Sequence, residues 1–400
     1  MYVAAPASMR TALKPLPALT GLRFLAGFHV VLFHYLGRDG MPEWLANVLS
    51  SGPNSVTLFF VLSGFILAYS YLGAEPDATV SRRAFWVARF ARVYPVYLLG
   101  LVLAAPVFVS KALQQQGVTG ESLLTVVGIG TAVGGLFQAW VPAAACQWNC
   151  PGWSLSVEAF FYLVFPFAAL PVLRMGPRRL LLSLGLSALV GLLLMGGWLY
   201  GLQVTSMPGS SVDPEAWKVV GAYNPLLRLP QFLCGVFLGR LFCLRQRASA
   251  TFDRAMVAVG VVVSLVLMAM TWDSPALYFK DIALLPGFAC LIWGLAGGVD
   301  PLSRGLARPA MVALGEASYA LYLLHAPLNN WLHAVDVYLR LGWWSRGPVF
   351  FTGYALLCVA VSLLVFRHLE EPARRWLRSR LTARERPAPP ATLGVGGART

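Results

Sequence analysis

Charge is what this sequence has least of. Asp, Glu, Lys and Arg make up 12% of its 400 residues, while 58% are hydrophobic. About a quarter of an ordinary soluble domain is charged. That shortage, with a mean hydropathy of +0.66, argues against a water-soluble globule and for a chain that crosses a bilayer repeatedly. Acid is scarcer than base: 17 Asp and Glu stand against 31 Lys and Arg, for a net charge of +14. Such an excess can mark a nucleic-acid binder. Here the cations lie in short clusters between apolar runs, which is the pattern of topology signals, so no nucleic acid is expected. Residues 1–20 lack the apolar core of a cleavable signal peptide. Cysteine is sparse, six in all. With no CxxC pair and no HExxH, no metal site is expected. Cys234, Cys243, Cys290 and Cys358 fall in apolar runs as small buried hydrophobes. Cys146 and Cys150 flank "QWN" in a loop, where a disulfide would form if the compartment is oxidising. No internal repeat and no separate soluble domain is visible.

What is abundant is apolar sequence of spanning length. A bilayer core needs about 20 apolar residues per helix. Ten runs meet this, near 17–36, 54–73, 93–110, 153–173, 180–200, 223–243, 255–272, 281–299, 311–332 and 348–366. An eleventh, 122–141, is glycine-rich and ends in "QAWV", and reads as a re-entrant or interfacial segment, with a full span as the alternative. Ten spans place Arg10 and Lys14, Arg82 to Arg92, Arg174 to Arg179, Arg240 to Arg254, Arg304 and Arg308, and the basic C-terminus on one side. Only Arg38, Lys111, Lys218, Lys280, Arg340 and Arg346 fall on the other. The positive-inside rule then puts both termini in the cytoplasm. The expected fold class is an all-α polytopic membrane protein. Residues 1–16 form a cytoplasmic segment, and 17–367 the transmembrane domain. Residues 368–400 hold a basic amphipathic helix, "HLEEPARRWLRSRL", and a tail whose Pro, Gly and Ala content predicts disorder.

An ionisable residue inside a membrane costs at least a few kcal/mol and is a functional hypothesis by default. In "RFLAGFHVVLFH", Arg23 and His34 are eleven residues apart, which puts them on one helix face about 16 Å apart along the axis. His29 points elsewhere. The bland reading is that Arg23 snorkels and His34 bridges helices. In "WSLSVEAFFYLVFP", Glu158 shares a face with Ser154 and Tyr162. A glutamate near a histidine can orient the ring and stabilise the imidazolium, and a His34–Glu158 pair is sterically open; a structural helix–helix hydrogen bond is the plainer alternative. Arg89 and Arg92, one turn apart, are either topology charges or a cytoplasmic cradle for phosphate. Ser318, Tyr322 and His325 form a polar stripe that either joins helices or lines a substrate path. Arg228 is a further pocket-wall candidate. "HYLGRD" gives His34 and Asp39 the spacing seen in glycerolipid acyltransferases. A single match of that kind arises easily by chance, and the later motifs are missing.

Taken in order, these pieces resemble the acyltransferase-3 family of integral membrane acyltransferases. The resemblance rests on Arg23 with His34, "FFVLSGF", Arg89 with Arg92 before "YPVY", the Glu158 segment, "RLPQFLCGVFLG", "SYALYLLHAP" and the closing "LEEP", and runs over about residues 17–380. It implies ten spans in a bacterial cytoplasmic membrane. It also implies transfer of an acyl group, usually acetyl, from a cytoplasmic coenzyme A thioester to a hydroxyl. Family acceptors include exported or cell-surface sugars and macrolides. Some members carry an appended hydrolase-like domain; with 34 residues after its last run, this chain is expected to lack one. On this reading Arg23, Arg89 and Arg92 hold acyl-CoA. His34 acts as general base or as the site of an acyl-histidine, with Glu158 as its partner. Ser154, Tyr162, Arg228, Ser318, Tyr322 and His325 line the substrate path. A proton-coupled transporter is the rival class, since buried His, Glu and Arg also build proton relays. The lack of a repeat argues against it.

Overall fold

The computed structural model describes residues 14–73, 81–207, 210–245, 249–273, 275–343 and 347–382, and every regular element among them is helical. Arg10, Arg247, Arg346 and the tail from 383 onward, on which part of the topology and disorder argument falls, lie outside the described residues. In chain order the helices are α1 (Pro17–Tyr35), α2 (Glu43–Ser50), α3 (Asn54–Tyr71), α4 (Arg82–Gln116), α5 (Gly120–Gly134) and α6 (Trp153–Leu173). Then come α7 (Pro177–Thr205), α8 (Pro214–Tyr223), α9 (Pro225–Cys243), α10 (Ala250–Ala269), α11 (Lys280–Ala283) and α12 (Leu285–Gly297). The chain closes with α13 (Pro301–Leu306), α14 (Pro309–Glu316), α15 (Ser318–Leu339), α16 (Pro348–Val365), a π-turn (Phe366–Glu370) and α17 (Glu371–Thr382). Nine helical stretches among the described residues are long and apolar enough to cross a membrane. The protein is a multi-pass helical membrane protein.

Two expected boundaries move. The run 311–332 is divided: α14 stops at Glu316 and a 22-residue α15 starts at Ser318. Hydropathy averaged over this region hides the corner, which tertiary contact creates. A Cβ on Gly315 would strike the Thr20 carbonyl, and one on Gly21 would strike the Leu306 carbonyl, so α1 wedges into the α13–α14–α15 bend. The glycine-rich run 122–141 becomes the 15-residue α5, about 22 Å long and too short to span. Its end lies against the middle of α4, where Tyr94 and Tyr97 donate to the carbonyls of Gly134 and Val133. The chain then returns through a series of turns pinned at buried Gln138 and Asn149. Gln138 donates to Gly152, Asn149 to Leu323, and Cys146 is disulfide-bonded to Cys150. As a result α6 begins at the level of Tyr97, well down the length of α4.

Side-chain contacts set which helix ends meet. Tyr69 donates to the Lys14 carbonyl, so α3 ends where α1 begins; this is called the near end. Arg240, 4% exposed, donates to Leu72 and Gly73 at the end of α3 and to Leu173 at the end of α6. A cation over the free carbonyls of two helix C-termini satisfies them and complements their dipoles. At the far end, His29 bridges Ser55 and the Val48 carbonyl at 2.8 Å each, which accounts for that histidine structurally. The most extensive helix pair, α3 with α9, depends on small residues. A Cβ on Gly64 would collide with the Phe232 carbonyl, and one on Gly235 with the Val61 carbonyl. Lipid offers no hydrophobic gain for helix association, so such close backbone packing carries it.

Gly235→Val should therefore split α3 from α9 and give aggregated protein on size-exclusion chromatography in detergent. Gly196→Val, where nothing lies within 4 Å of the new Cβ, should elute like the unaltered chain.

Candidate active site

Helices α1, α3, α4, α6 and α15 enclose a cavity of about 250 Å³. Along α3 its wall runs from Val56 to Leu67, about 16 Å. Arg23 enters from α1, Arg89 and Arg92 from α4, Ser154, Glu158 and Tyr162 from α6, and Ser318, Tyr319 and Tyr322 from α15. The rest is mostly apolar, including Phe59, Phe60 and Leu62.

The polar groups are tied to one another. Glu158 accepts from Ser63 at 3.0 Å and from the phenol of Tyr162 one turn away on α6. Tyr162 is held in turn by Trp86, whose indole N–H donates to its carbonyl at 3.0 Å. The Arg89 guanidinium sits 5.9 Å from the ring centres of both Phe85 and Tyr162, and its Nε has no hydrogen-bond partner. Arg23 is repelled by Arg92 and attracted by Glu370 and Glu158. Ser154 and Tyr322 share a 3.0 Å hydrogen bond at the far side of the cavity. Three guanidiniums whose N–H forks close no salt bridge among the described residues, facing a hydroxyl-rich wall, suit an anion such as phosphate. The apolar stretch beyond them suits an alkyl chain.

Eight of the eleven residues singled out from the sequence therefore converge: Arg23, Arg89, Arg92, Ser154, Glu158, Tyr162, Ser318 and Tyr322. Three do not. Arg228 is 7% exposed, pairs with Asp281 at 2.5 Å and donates to the Gly221 and Ala222 carbonyls, while Asn54 and Thr57 also donate to Asp281. It joins four helices instead of walling the cavity. His34 is exposed in the last turn of α1, its Nδ1 donating to the Val30 carbonyl at 2.9 Å. His325 is fully buried beside it, with ring centres 5.1 Å apart. Its Nδ1 donates to the Tyr322 carbonyl, and its Nε2 has no partner.

The expected His34–Glu158 pair is not formed, and the levels of the helices explain why. His29 meets Ser55, whereas Glu158 meets Ser63. His34 lies five residues beyond His29 and Ser63 lies eight residues the other way, so the two groups are about 20 Å apart along the bundle. The sunken start of α6 lowers Glu158, a depth that span counting cannot register. The face shared by Arg23 and His34 is also filled between them: Gly27 lies on it, with Ser318 and Phe59 within 4 Å of where its Cβ would be. Sequence reasoning missed Ser63 and Tyr319, which line the cavity, and Glu370 behind it. Ser63 stands in "FFVLSGF" and Glu370 in "LEEP", so the motifs held the signal without a role to assign.

The model of the acyltransferase domain of the acyltransferase-3 type matches residues 16–367. The chain belongs to the acyltransferase-3 family. Acyltransferase MdmB of Streptomyces mycarofaciens is 28% identical over 94% of this chain and 95% of its own length. Nodulation protein 10 of Rhizobium leguminosarum bv. viciae is 26% identical over 91% and 94%. The putative O-acetyltransferase SACOL0978 of Staphylococcus aureus strain COL is 23% identical over 91% of this chain but 58% of its own length. No solved structure matches. The protein is thus a membrane acyltransferase.

Removing one partner of a buried ion pair costs about 3–5 kcal/mol. Arg228→Leu should lower the thermal unfolding midpoint in detergent by several degrees, and Arg228→Leu with Asp281→Leu should recover part of the loss. A substrate-binding role would instead leave stability intact and change turnover.

Proposed function

We propose that this acyltransferase takes an acyl group, in the first instance acetyl, from acyl-CoA and passes it to a hydroxyl on a sugar or glycoconjugate. The observation that carries this reading is the convergence of Arg23, Arg89 and Arg92 on one membrane-embedded cavity with an apolar extension. Coenzyme A is a phosphorylated anion with a long, narrow thiol-bearing arm, and the cavity matches that division. On the charge pattern, the near end with both termini is the cytoplasmic side of a bacterial inner membrane. The donor would enter there, with its phosphates on the arginines and its arm pointing towards Tyr322.

His34 is the base of this proposal, and it serves the acceptor side. Its Nδ1–H is committed to Val30, so its Nε2 carries the lone pair. Nε2 takes the proton of the acceptor hydroxyl, the oxygen forms a bond to the thioester carbonyl carbon, and the C–S bond breaks. The thiolate leaves and recovers the proton. Transfer first to Nε2, giving an acyl-histidine, is the alternative. In either case the thioester must pass the Ser154–Tyr322 contact and the packing at Gly27, so catalysis requires these to open. Glu158 belongs to the donor side, where it holds Tyr162 and balances Arg23. Direct transfer across the membrane follows from donor and acceptor lying at opposite ends.

His34→Ala in membrane-inserted protein should abolish transfer from radiolabelled acetyl-CoA while leaving the coenzyme A dissociation constant unchanged. Turnover near the unaltered rate would overturn the assignment. Arg89→Ala with Arg92→Ala should raise that constant at least tenfold by isothermal titration; no change would return the pair to topology signals.

A further inference from the structure

Glu370 is a buried acid that the proposed reaction does not use. It is the last residue of the π-turn Phe366–Glu370 between α16 and α17. Single π-turns inside helices recur at functional sites, because the extra residue re-aims a side chain. The turn and α17 both pack against α4, the helix of Arg89 and Arg92. Glu370 is 2% exposed, and its Oε2 has no hydrogen-bond partner. A buried carboxylate in that state is costly unless opposite charge compensates it.

The compensating charges are those of the cavity. Glu370 faces Arg92, Arg23 and Arg374, with the carboxylate of Glu371 beside it. Arg23 in turn faces both Glu370 and Glu158. Among the described residues neither Arg23 nor Arg92 closes a direct salt bridge with Glu370. This combination has a consequence. A carboxylate that attracts guanidiniums from beyond bonding distance keeps them in place but leaves their N–H forks open for another anion. It also subtracts from the positive potential that such an anion would meet.

We infer that Glu370 is a counter-charge that sets how tightly the arginine cavity holds a phosphorylated anion, keeping Arg23 and Arg92 poised and allowing the anion to leave. This rests on reading the cavity as the donor site. The test is Glu370→Gln in the full-length protein, which keeps shape and removes charge, titrated with coenzyme A and separately with inorganic pyrophosphate. The dissociation constant for each should fall at least fivefold, with a steeper dependence on salt. Glu215→Gln, altering an exposed carboxylate that pairs with Lys218 away from the cavity, should change neither. An unchanged or weaker affinity in Glu370→Gln, or an equal effect from Glu215→Gln, would overturn the inference. Pyrophosphate binding that tightens in Glu370→Gln while coenzyme A fails to bind would uphold it and refute the donor reading. Failure of both probes to bind the unaltered protein would refute both.

Discussion

The structure turns on keeping three guanidiniums inside an apolar helix bundle. A single cation at the membrane centre costs several kcal/mol, and like charges gathered together cost more. Arg23, Arg89 and Arg92 are tolerable because their costs are offset in two ways. Arg89 lies over the aromatic faces of Phe85 and Tyr162. Arg23 faces Glu370 and Glu158, and Arg92 faces Glu370. Glu158 is itself held by two hydroxyl donors. None of these contacts uses up the N–H forks, so the charge is retained in a form that can still bind.

Other buried charges in the molecule are handled in the opposite way. The terminal nitrogens of Arg228 are engaged by Asp281 and two carbonyls, and those of Arg240 by the ends of α3 and α6, although the Nε of each has no partner among the described residues. These two arginines fix helix positions, and having spent most of their donors they are poor anion sites. The contrast between guanidiniums whose terminal nitrogens are engaged and those whose terminal nitrogens are open separates scaffold from site more sharply than burial does. It also explains why Arg228 looks functional in the sequence: a lone arginine in an apolar run carries the same signal in both cases.

The distance between the arginine cavity and the His34–His325 pair gives the molecule a two-ended character. The two regions are held about 20 Å apart along the bundle, divided by the Ser154–Tyr322 hydrogen bond and by close packing at Gly27. On the proposed reading, such a division would keep water from the thioester until both ends are engaged.

Much of this was legible in the residues alone. Composition and run length determine a helical membrane protein, because burying uncapped backbone in lipid leaves few other solutions. The intramembrane Arg, Glu and Tyr positions stand out in the sequence because each is costly there, and eight of eleven meet in one cavity. What only the tertiary structure decided is depth and partnership. Periodicity assigns a residue to a face of its own helix, and the Arg23–His34 alignment is of that kind. It cannot say how far one helix is displaced along another. The re-entry of α5 sinks α6 and carries Glu158 away from His34, towards Ser63 and the arginines. The bend at Ala317 and the π-turn that turns Glu370 inward arise the same way, from contacts between segments far apart in the chain, which no local pattern encodes.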